Sequence, residues 1–227
     1  MLQHNIDVII TDHHEPTSKI PHCIATLNPK LINSSYPNRD LTGVGVAFKL
    51  AHALTNFFNE EGLINKTFID LKKYLDLAAL GTVADMGSLL GENRILVRYG
   101  LQQMQQNPRI GLSKLFAICD VNYKELTPLD IAAKVAPRLN SLGRIDDPRK
   151  GVELLLCKDE LEATRLACEL DLNNTERQKI EKTASDDIDA YLSSHSKILK
   201  NFAIVLYSDK WHSGIIPIIT ADRKSVV

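Results

Sequence analysis

The sequence has few of the features that mark secreted, zinc-binding or membrane proteins. The four cysteines lie far apart and form no Cys-x-x-Cys pair, a pattern that favours reduced packing residues over disulfides or zinc ligands. No apolar run approaches the roughly 18 residues that a membrane span needs. Residues 1–5 (MLQHN) lack the basic and apolar regions of a secretory signal. We therefore expect a cytoplasmic protein without a membrane segment.

The chain also lacks an excess of positive charge. Its 27 lysines and arginines face 28 acidic residues, which gives a formal net charge of −1. Because non-specific affinity for nucleic acid comes largely from Lys and Arg against phosphates, a nucleic-acid interface would have to use local basic clusters. The 44% of hydrophobic residues is typical of a soluble globular protein, and 227 residues allow one or two domains.

The segment around Asp12–His14 is the most informative one present. Val8–Ile10 is β-branched and predicts a buried strand, and a carboxylate and two imidazoles follow where it ends. Ligand groups in open α/β sheets lie at the carboxyl ends of strands, and this donor set suits a divalent transition metal. A polar turn is the alternative. A second apolar stretch, 76–84, is followed by Asp85, which by itself could be an ordinary turn or capping residue.

A third segment, 137–147, combines arginine, asparagine and glycine. Arginine grips phosphate bidentately, asparagine can bond sugar or phosphate oxygens, and glycine permits close approach of the backbone. Arg138, Asn140 and Arg144 are therefore candidates for holding a nucleic-acid backbone. The alternative is a helix C-terminus capped by Gly143 with solvated arginines.

Three further residues have two interpretations each. Gly43 and Gly45 stand where a helix is predicted to begin, with Thr42 as its N-cap, so their amides could hold an anion. Close packing would explain both glycines equally well. Trp211 could stack on a base or fill a core.

The spacing of apolar residues predicts a helix-rich chain. A long polar helix near the end is typical of a connection between two domains. An apolar strand is predicted over Phe202–Tyr207, and we place a domain boundary at 194–201. The predicted helices cover residues 41–58, 68–84, 92–104, 112–118, 127–135, 148–156 and 161–192.

Five segments in order resemble the DHH phosphoesterase superfamily and, within it, the RecJ-type exonucleases specific for single-stranded DNA. The resemblance covers residue 7 to about residue 219. It implies an α/β fold: an incomplete DHH domain over residues 1–193, with a parallel-sheet edge and a helical half, joined by the long helix to the start of a DHHA1-like α/β domain over 194–227. The five segments are Asp12–His14, 41–50 (LTGVGVAFKL), 76–85, 136–147 (APRLNSLGRIDD) and 211–216 (WHSGII).

The resemblance assigns a role to each candidate residue. Superfamily members hydrolyse phosphodiesters or phosphoanhydrides with a pair of divalent ions, Mn²⁺ or Mg²⁺. By resemblance, His13 and Asp85 would ligate one ion. His14 would face the substrate, steadying the phosphate or giving a proton to the leaving oxygen. Asp12 would support the site without binding the ion, by accepting a hydrogen bond from a ligating histidine. The residues expected to bind single-stranded DNA are Arg138, Asn140, Arg144 and His212.

The function implied by the resemblance is metal-dependent 5′→3′ exonucleolysis of single-stranded DNA in DNA repair and recombination. RecJ-type proteins place two acidic motifs before the Asp-His-His strand and continue their second domain further than these 227 residues do. We therefore expect an internal fragment that is inactive or impaired alone. The alternatives are another DHH phosphodiesterase acting on short oligonucleotides or cyclic dinucleotides, a non-catalytic remnant, and one half of a split enzyme completed by a separate polypeptide with the missing aspartates.

Overall fold

The computed structural model describes residues 6–17, 19–64 and 69–222. Short 3₁₀ segments at Leu71–Tyr74, Tyr123–Glu125 and Ser196–Lys200 and a π-helical turn at Ile131–Val135 connect longer elements. In chain order, the strands and α-helices are β1 (Ile9–Thr11), β2 (Ala25–Leu27), α1 (Gly43–Glu60), α2 (Leu75–Ala84), α3 (Gly91–Gln106), α4 (Ile110–Ile118), α5 (Pro128–Asp130), α6 (Ala136–Ile145), α7 (Arg149–Leu156), α8 (Glu160–Ser194) and α9 (Ile216–Asp222).

Backbone contacts divide the chain into two compact units. The first takes in residues 1–109 and 120–136, and the second takes in residues 110–119 and 137–227. The sheet and α1–α3 lie in the first unit, and α4, α7, α8 and α9 lie in the second. The domain boundary predicted at 194–201 stays a prediction. Among the helices of the described residues, none combines the length and the apolar character that crossing a membrane requires.

The two strands form a short parallel sheet. Ile9 pairs with Ala25 and Thr11 with Leu27, which confirms the predicted strand and the parallel arrangement. The expected burial is wrong, however, because Ile9 is 54% exposed. Within the described residues β1 pairs with β2 alone, and Ile9 and Thr11 are exposed while Ile10 is half-buried.

Close packing of α2 against α3 forms the centre of the first unit. Apart from Asp76 and Thr82, the α2 sequence LDLAALGTVA is apolar, and its apolar residues do not fall on one face, which is typical of a buried helix. Ala79 is fully buried, and α3 approaches Ala79 and the Leu75 backbone at Gly100. A Cβ added at Gly100 would lie only 2.2 Å from the Leu75 carbonyl oxygen, so only glycine permits this contact.

A buried ion pair holds the start of α2. The Asp76 side chain is 1% exposed and accepts hydrogen bonds from Arg109 Nε at 2.6 Å and Nη2 at 3.2 Å. Arg109 also donates to the Lys73 carbonyl at 2.9 Å and lies over the Tyr74 ring at 5.5 Å. The pair thus joins the loop between α3 and α4 to the first turn of α2.

The second unit is built on α8, which spans 35 residues and confirms the predicted long helix. Asp159 caps it by accepting a hydrogen bond from the Glu162 amide at 2.8 Å. Towards its C-terminal end, Ala184 and Ile188 form a small core with Ile215, just before α9, and Ile219 of α9, and Trp211 packs against that core. Of the two roles predicted for Trp211, the structure therefore shows core filling.

The strand predicted over Phe202–Tyr207 is wrong. The segment has no regular secondary structure, and Phe202, Val205 and Tyr207 are almost fully exposed. An apolar, β-branched sequence forms a strand only when another strand satisfies its backbone, and no described residue pairs with this one. The apolar composition predicted a strand, but a strand requires a pairing partner, which composition does not specify.

Candidate metal centre

The two predicted metal ligands meet in the first unit. His13 follows the end of β1, where the Asp12 amide still donates to the Leu27 carbonyl at 3.0 Å. Asp85 is the C-cap residue of α2. The Nδ1 atom of His13 lies 3.6 Å from Oδ2 of Asp85, and the two side chains are 21% and 49% exposed. Residues 72 positions apart are thus brought together at the surface.

This pair fits two neighbouring positions around one divalent ion. Ligand bonds of about 2.1 Å place adjacent ligand atoms roughly 3.0–3.5 Å apart, close to the observed separation. Imidazole nitrogen with carboxylate oxygen also suits manganese-like ions. Among the described residues, no group of three or more His, Cys, Asp or Glu side chains could hold a metal. The described residues therefore group two side chains of metal-ligating type here, His13 and Asp85.

The position of Asp85 makes the pair more attractive to a cation. A carboxylate just past the last turn of a helix lies at the negative end of the helix dipole, where cations are favoured and anions are not. Asp85 has this position in α2, and no basic residue lies in the last turn of that helix. The next residue, Met86, has a left-handed backbone with φ of 54°. The carboxylate at the negative end of the dipole and the left-handed backbone at Met86 both make the C-terminus of α2 less stable.

Asp12 contacts His14 in this structure, and not the ring of His13. Its Oδ1 atom lies 2.7 Å from Nδ1 of His14 and also accepts the backbone amides of His13 and His14. The hydrogen bond from the His14 ring, followed by these backbone bonds, lowers the pKa of Asp12 to about 2. The ionised carboxylate thereby orients the His14 ring, which leaves Nε2 available to a substrate.

The N-terminus of α1 forms the wall behind the pair. A Cβ added at Gly43 would lie 3.1 Å from Cδ2 of His13, so the imidazole rests directly on the backbone there. Thr42 occupies the predicted N-cap position, but its side chain makes no capping hydrogen bond. The Thr42 hydroxyl instead forms a hydrogen bond with the Thr82 hydroxyl at 3.1 Å, and both residues are buried.

The four residues predicted to bind DNA belong to the second unit. Arg138 forms a salt bridge to Asp171 at 2.8 Å, and Arg144 donates to the Gly214 carbonyl at 2.8 Å. The alternative of a capped helix end is wrong, because α6 continues through Gly143 to Ile145 and neither arginine is fully solvated. Both guanidinium groups hold elements of their own unit together.

The other two members of that set are exposed. Asn140 lies on the surface of α6, and His212 accepts a hydrogen bond from the Gly214 amide through Nδ1 at 3.2 Å. A DNA-binding role for all four residues stays a prediction.

Residues 1–82 match the family model described as "DHH family, N-terminal domain". This part of the chain is thus similar to the DHH family. The similarity extends further, to curated proteins named single-stranded-DNA-specific exonuclease RecJ. The chain is 38% identical to the one from Bacillus subtilis over 216 residues, 95% of this chain and 26% of that protein. It is also 38% identical to the one from Salmonella typhimurium, with 96% of this chain and 39% of that protein covered.

Solved RecJ structures are also similar to this chain. RecJ from Thermus thermophilus in complex with Mn²⁺ superposes with a TM-score of 0.83 at 30% identity, covering all of this chain and 32% of that one. An exonuclease RecJ bound to manganese gives a TM-score of 0.81 at 30% identity, covering 97% of this chain and 52% of that one. A divalent metal is consistent with these neighbours. The chain spans about a quarter to two fifths of the length of the curated relatives described above.

Proposed function

We propose that this chain carries the site of a metal-dependent 5′→3′ exonuclease for single-stranded DNA, acting in the cytoplasm in DNA repair and recombination. The approach of His13 Nδ1 to Asp85 Oδ2, 3.6 Å apart and beside His14, is the observation that supports it most. The names of the similar proteins support the substrate class.

Each residue of the site has a distinct task in this proposal. His13 and Asp85 would hold one divalent ion, and that ion would make a hydroxide nucleophile available and offset charge on the phosphoryl oxygens. Asp12 holds the Nδ1 side of the His14 ring, so that Nε2 is directed to the substrate. As a neutral ring, His14 accepts a hydrogen bond through Nε2, and as an imidazolium it donates a proton to the leaving oxygen.

Replacing Asp85 by asparagine is expected to separate binding from stability. The variant should bind Mn²⁺ at least about tenfold more weakly, because it loses one of two grouped ligands. Its free energy of unfolding should rise by about 0.3–1 kcal/mol, since a charge leaves the negative end of the α2 dipole. Calorimetric Mn²⁺ titration and urea unfolding measure the two effects.

The matched control is Asp120→Asn. Asp120 also follows a helix, α4, but lies outside the His13–Asp85 pair. We expect it to leave Mn²⁺ affinity unchanged. Equal Mn²⁺ affinity in the Asp85→Asn variant and the wild type would exclude this carboxylate as a ligand.

The purified 227-residue polypeptide is expected to release no nucleotides from 5′-labelled single-stranded DNA with Mn²⁺. Two-metal hydrolysis requires both ions in one fixed geometry, and a displacement of about 1 Å can cost roughly a hundredfold in rate. The described residues group only two ligands. Release that disappears in His14→Ala would contradict this expectation. Activity that requires a second polypeptide with further aspartate motifs would support a divided enzyme.

Replacing Arg138 by alanine tests the proposed DNA contact. If the guanidinium binds a phosphate, affinity for single-stranded DNA should fall by a similar factor for all sequences, and the salt slope should decrease by about 1. Asp171→Asn removes the competing carboxylate and should strengthen binding.

Arg165→Ala is the control, because Arg165 is an exposed arginine on the adjoining α8 that pairs with Glu162 and Glu169. If Arg138→Ala lowered the unfolding free energy but left DNA affinity unchanged, the residue would have a purely structural role.

A further inference from the structure

The Gly43 backbone contacts one particular edge of the His13 ring. A Cβ at Gly43 would lie 3.1 Å from Cδ2, 3.6 Å from Nε2 and 3.9 Å from Cγ of the imidazole. In an imidazole ring Cδ2 and Nδ1 lie on opposite sides of Cγ. The edge that rests on the helix backbone is therefore the one away from Nδ1, so Nδ1 is turned towards Asp85.

The same turn of α1 also fixes the chain that carries Asp85. Thr42, immediately before Gly43, bonds the hydroxyl of Thr82 at 3.1 Å, less than one turn before Asp85. Gly87, two residues after Asp85, packs so closely that a Cβ there would lie 2.5 Å from Cγ2 of Thr42. The Gly87 amide in turn donates to the Thr82 carbonyl at 3.0 Å. Thr42 therefore contacts the chain both before Asp85, at Thr82, and after it, at Gly87.

We propose that Gly43 and Thr42 are positioning residues, which hold His13 Nδ1 and Asp85 Oδ2 at the separation that one divalent ion requires. This inference rests on the proposed metal site. Neither residue contributes a ligand atom. Gly43 acts through the missing side chain that admits the imidazole, and Thr42 acts through its contacts with Thr82 and Gly87.

A glycine that is retained only for packing and one that positions a ligand respond differently to alanine. The backbone at Gly43 has no positive φ, so alanine fits its conformation and would ordinarily stabilise the chain by restricting the unfolded state. At 3.1 Å the added methyl group would displace the His13 ring by a few tenths of an ångström. We therefore expect Gly43→Ala to preserve the fold and to disturb the metal pair.

The test compares Gly43→Ala with Gly143→Ala and His13→Ala in the 227-residue chain. Gly143 is a helical glycine with no atom within 4 Å of an added Cβ, so its variant is a matched control. Calorimetric titration with Mn²⁺ should show affinity about 10–100-fold lower for Gly43→Ala, the range found when a residue that orients a ligand is changed. Gly143→Ala should bind as the wild type does. The melting temperature of Gly43→Ala should be equal to or above that of the wild type.

A measurement without metal examines the contact itself. The wild-type protein should give a nuclear Overhauser cross-peak between the Gly43 Hα protons and Hδ2 of His13. The His13 ring resonances should move in Gly43→Ala and stay in place in Gly143→Ala. Absence of the wild-type cross-peak would overturn the inference even if the variant failed to fold.

The outcomes separate this inference from the proposed function. Mn²⁺ binding that is lost in His13→Ala but intact in Gly43→Ala overturns the positioning role and leaves the metal site standing. Binding that is unchanged in His13→Ala, or absent from the wild type, overturns the proposed metal site. Weakened binding in both variants, with the fold intact in Gly43→Ala, supports both.

Discussion

Replacing Gly100 by alanine is expected to lower the free energy of unfolding by about 3 kcal/mol, at the upper end of the usual cost of overpacking a core. The added methyl would lie 2.2 Å from the Leu75 carbonyl oxygen and 2.3 Å from Cβ of Ala79. Neither neighbour can rotate away, because one is backbone and the other has no movable side chain. The helices α2 and α3 would have to separate along their contact.

Gly143→Ala is the control for Gly100→Ala. Gly143 also lies inside a helix, but nothing lies within 4 Å of an added Cβ, so alanine should raise stability by about 0.5–1 kcal/mol. Urea unfolding followed by circular dichroism measures both values. A Gly100→Ala variant as stable as the wild type would mean that α2 and α3 are less closely packed than the structure shows.

Replacing Asp76 by asparagine is expected to cost about 3 kcal/mol of unfolding free energy. The Asp76 carboxylate is 1% exposed and holds the Arg109 guanidinium, which is 23% exposed. Breaking a buried pair leaves the remaining charge without compensation, and such losses run at roughly 3–5 kcal/mol. We take the lower end because solvent reaches part of Arg109.

Two comparisons make the Asp76 result specific. Glu176→Gln removes a carboxylate from an exposed pair with Lys179 and should change stability by less than about 1 kcal/mol. Replacing the buried pair together, by Asp76→Leu and Arg109→Met, should recover most of the loss, because two apolar side chains leave no buried charge unpaired. Equal losses in the single and double variants would show that shape, and not charge, makes this contact important.

Most helices could be predicted from the sequence because their signals are local. The helix predicted over 41–58 is found at Gly43–Glu60, and that over 161–192 at Glu160–Ser194. The helix predicted to begin at Thr127 has Thr127 as its N-cap, and Thr127 forms a capping box with Asp130. The helix predicted over 68–84 begins later, as a 3₁₀ turn at Leu71, and its first residue lies outside the described residues.

Properties that depend on distant partners could not be predicted in this way. The Phe202–Tyr207 segment has strand composition, but strand formation depends on a neighbour that the composition does not specify. For the site, the resemblance to the DHH superfamily implied that His13 and Asp85 share one location, and the structure brings the two side chains together. The sequence did not predict that Asp12 would contact His14, or that Gly43 would support the His13 ring across 30 residues. A glycine at the start of a helix does not indicate in the sequence which distant side chain packs against it.

The end of α2 also bears on how sequences of this kind change under selection. Asp85 lies at the unfavourable end of a helix dipole, and Met86 has a left-handed backbone that costs a non-glycine residue about 1–2 kcal/mol. In a library of variants screened only for resistance to a protease, Asp85→Asn and Met86→Gly should become enriched. In a library screened for retention of manganese, the acid should persist. The two adjacent positions would therefore record whether a lineage has been selected for a stable protein or for one that holds an ion.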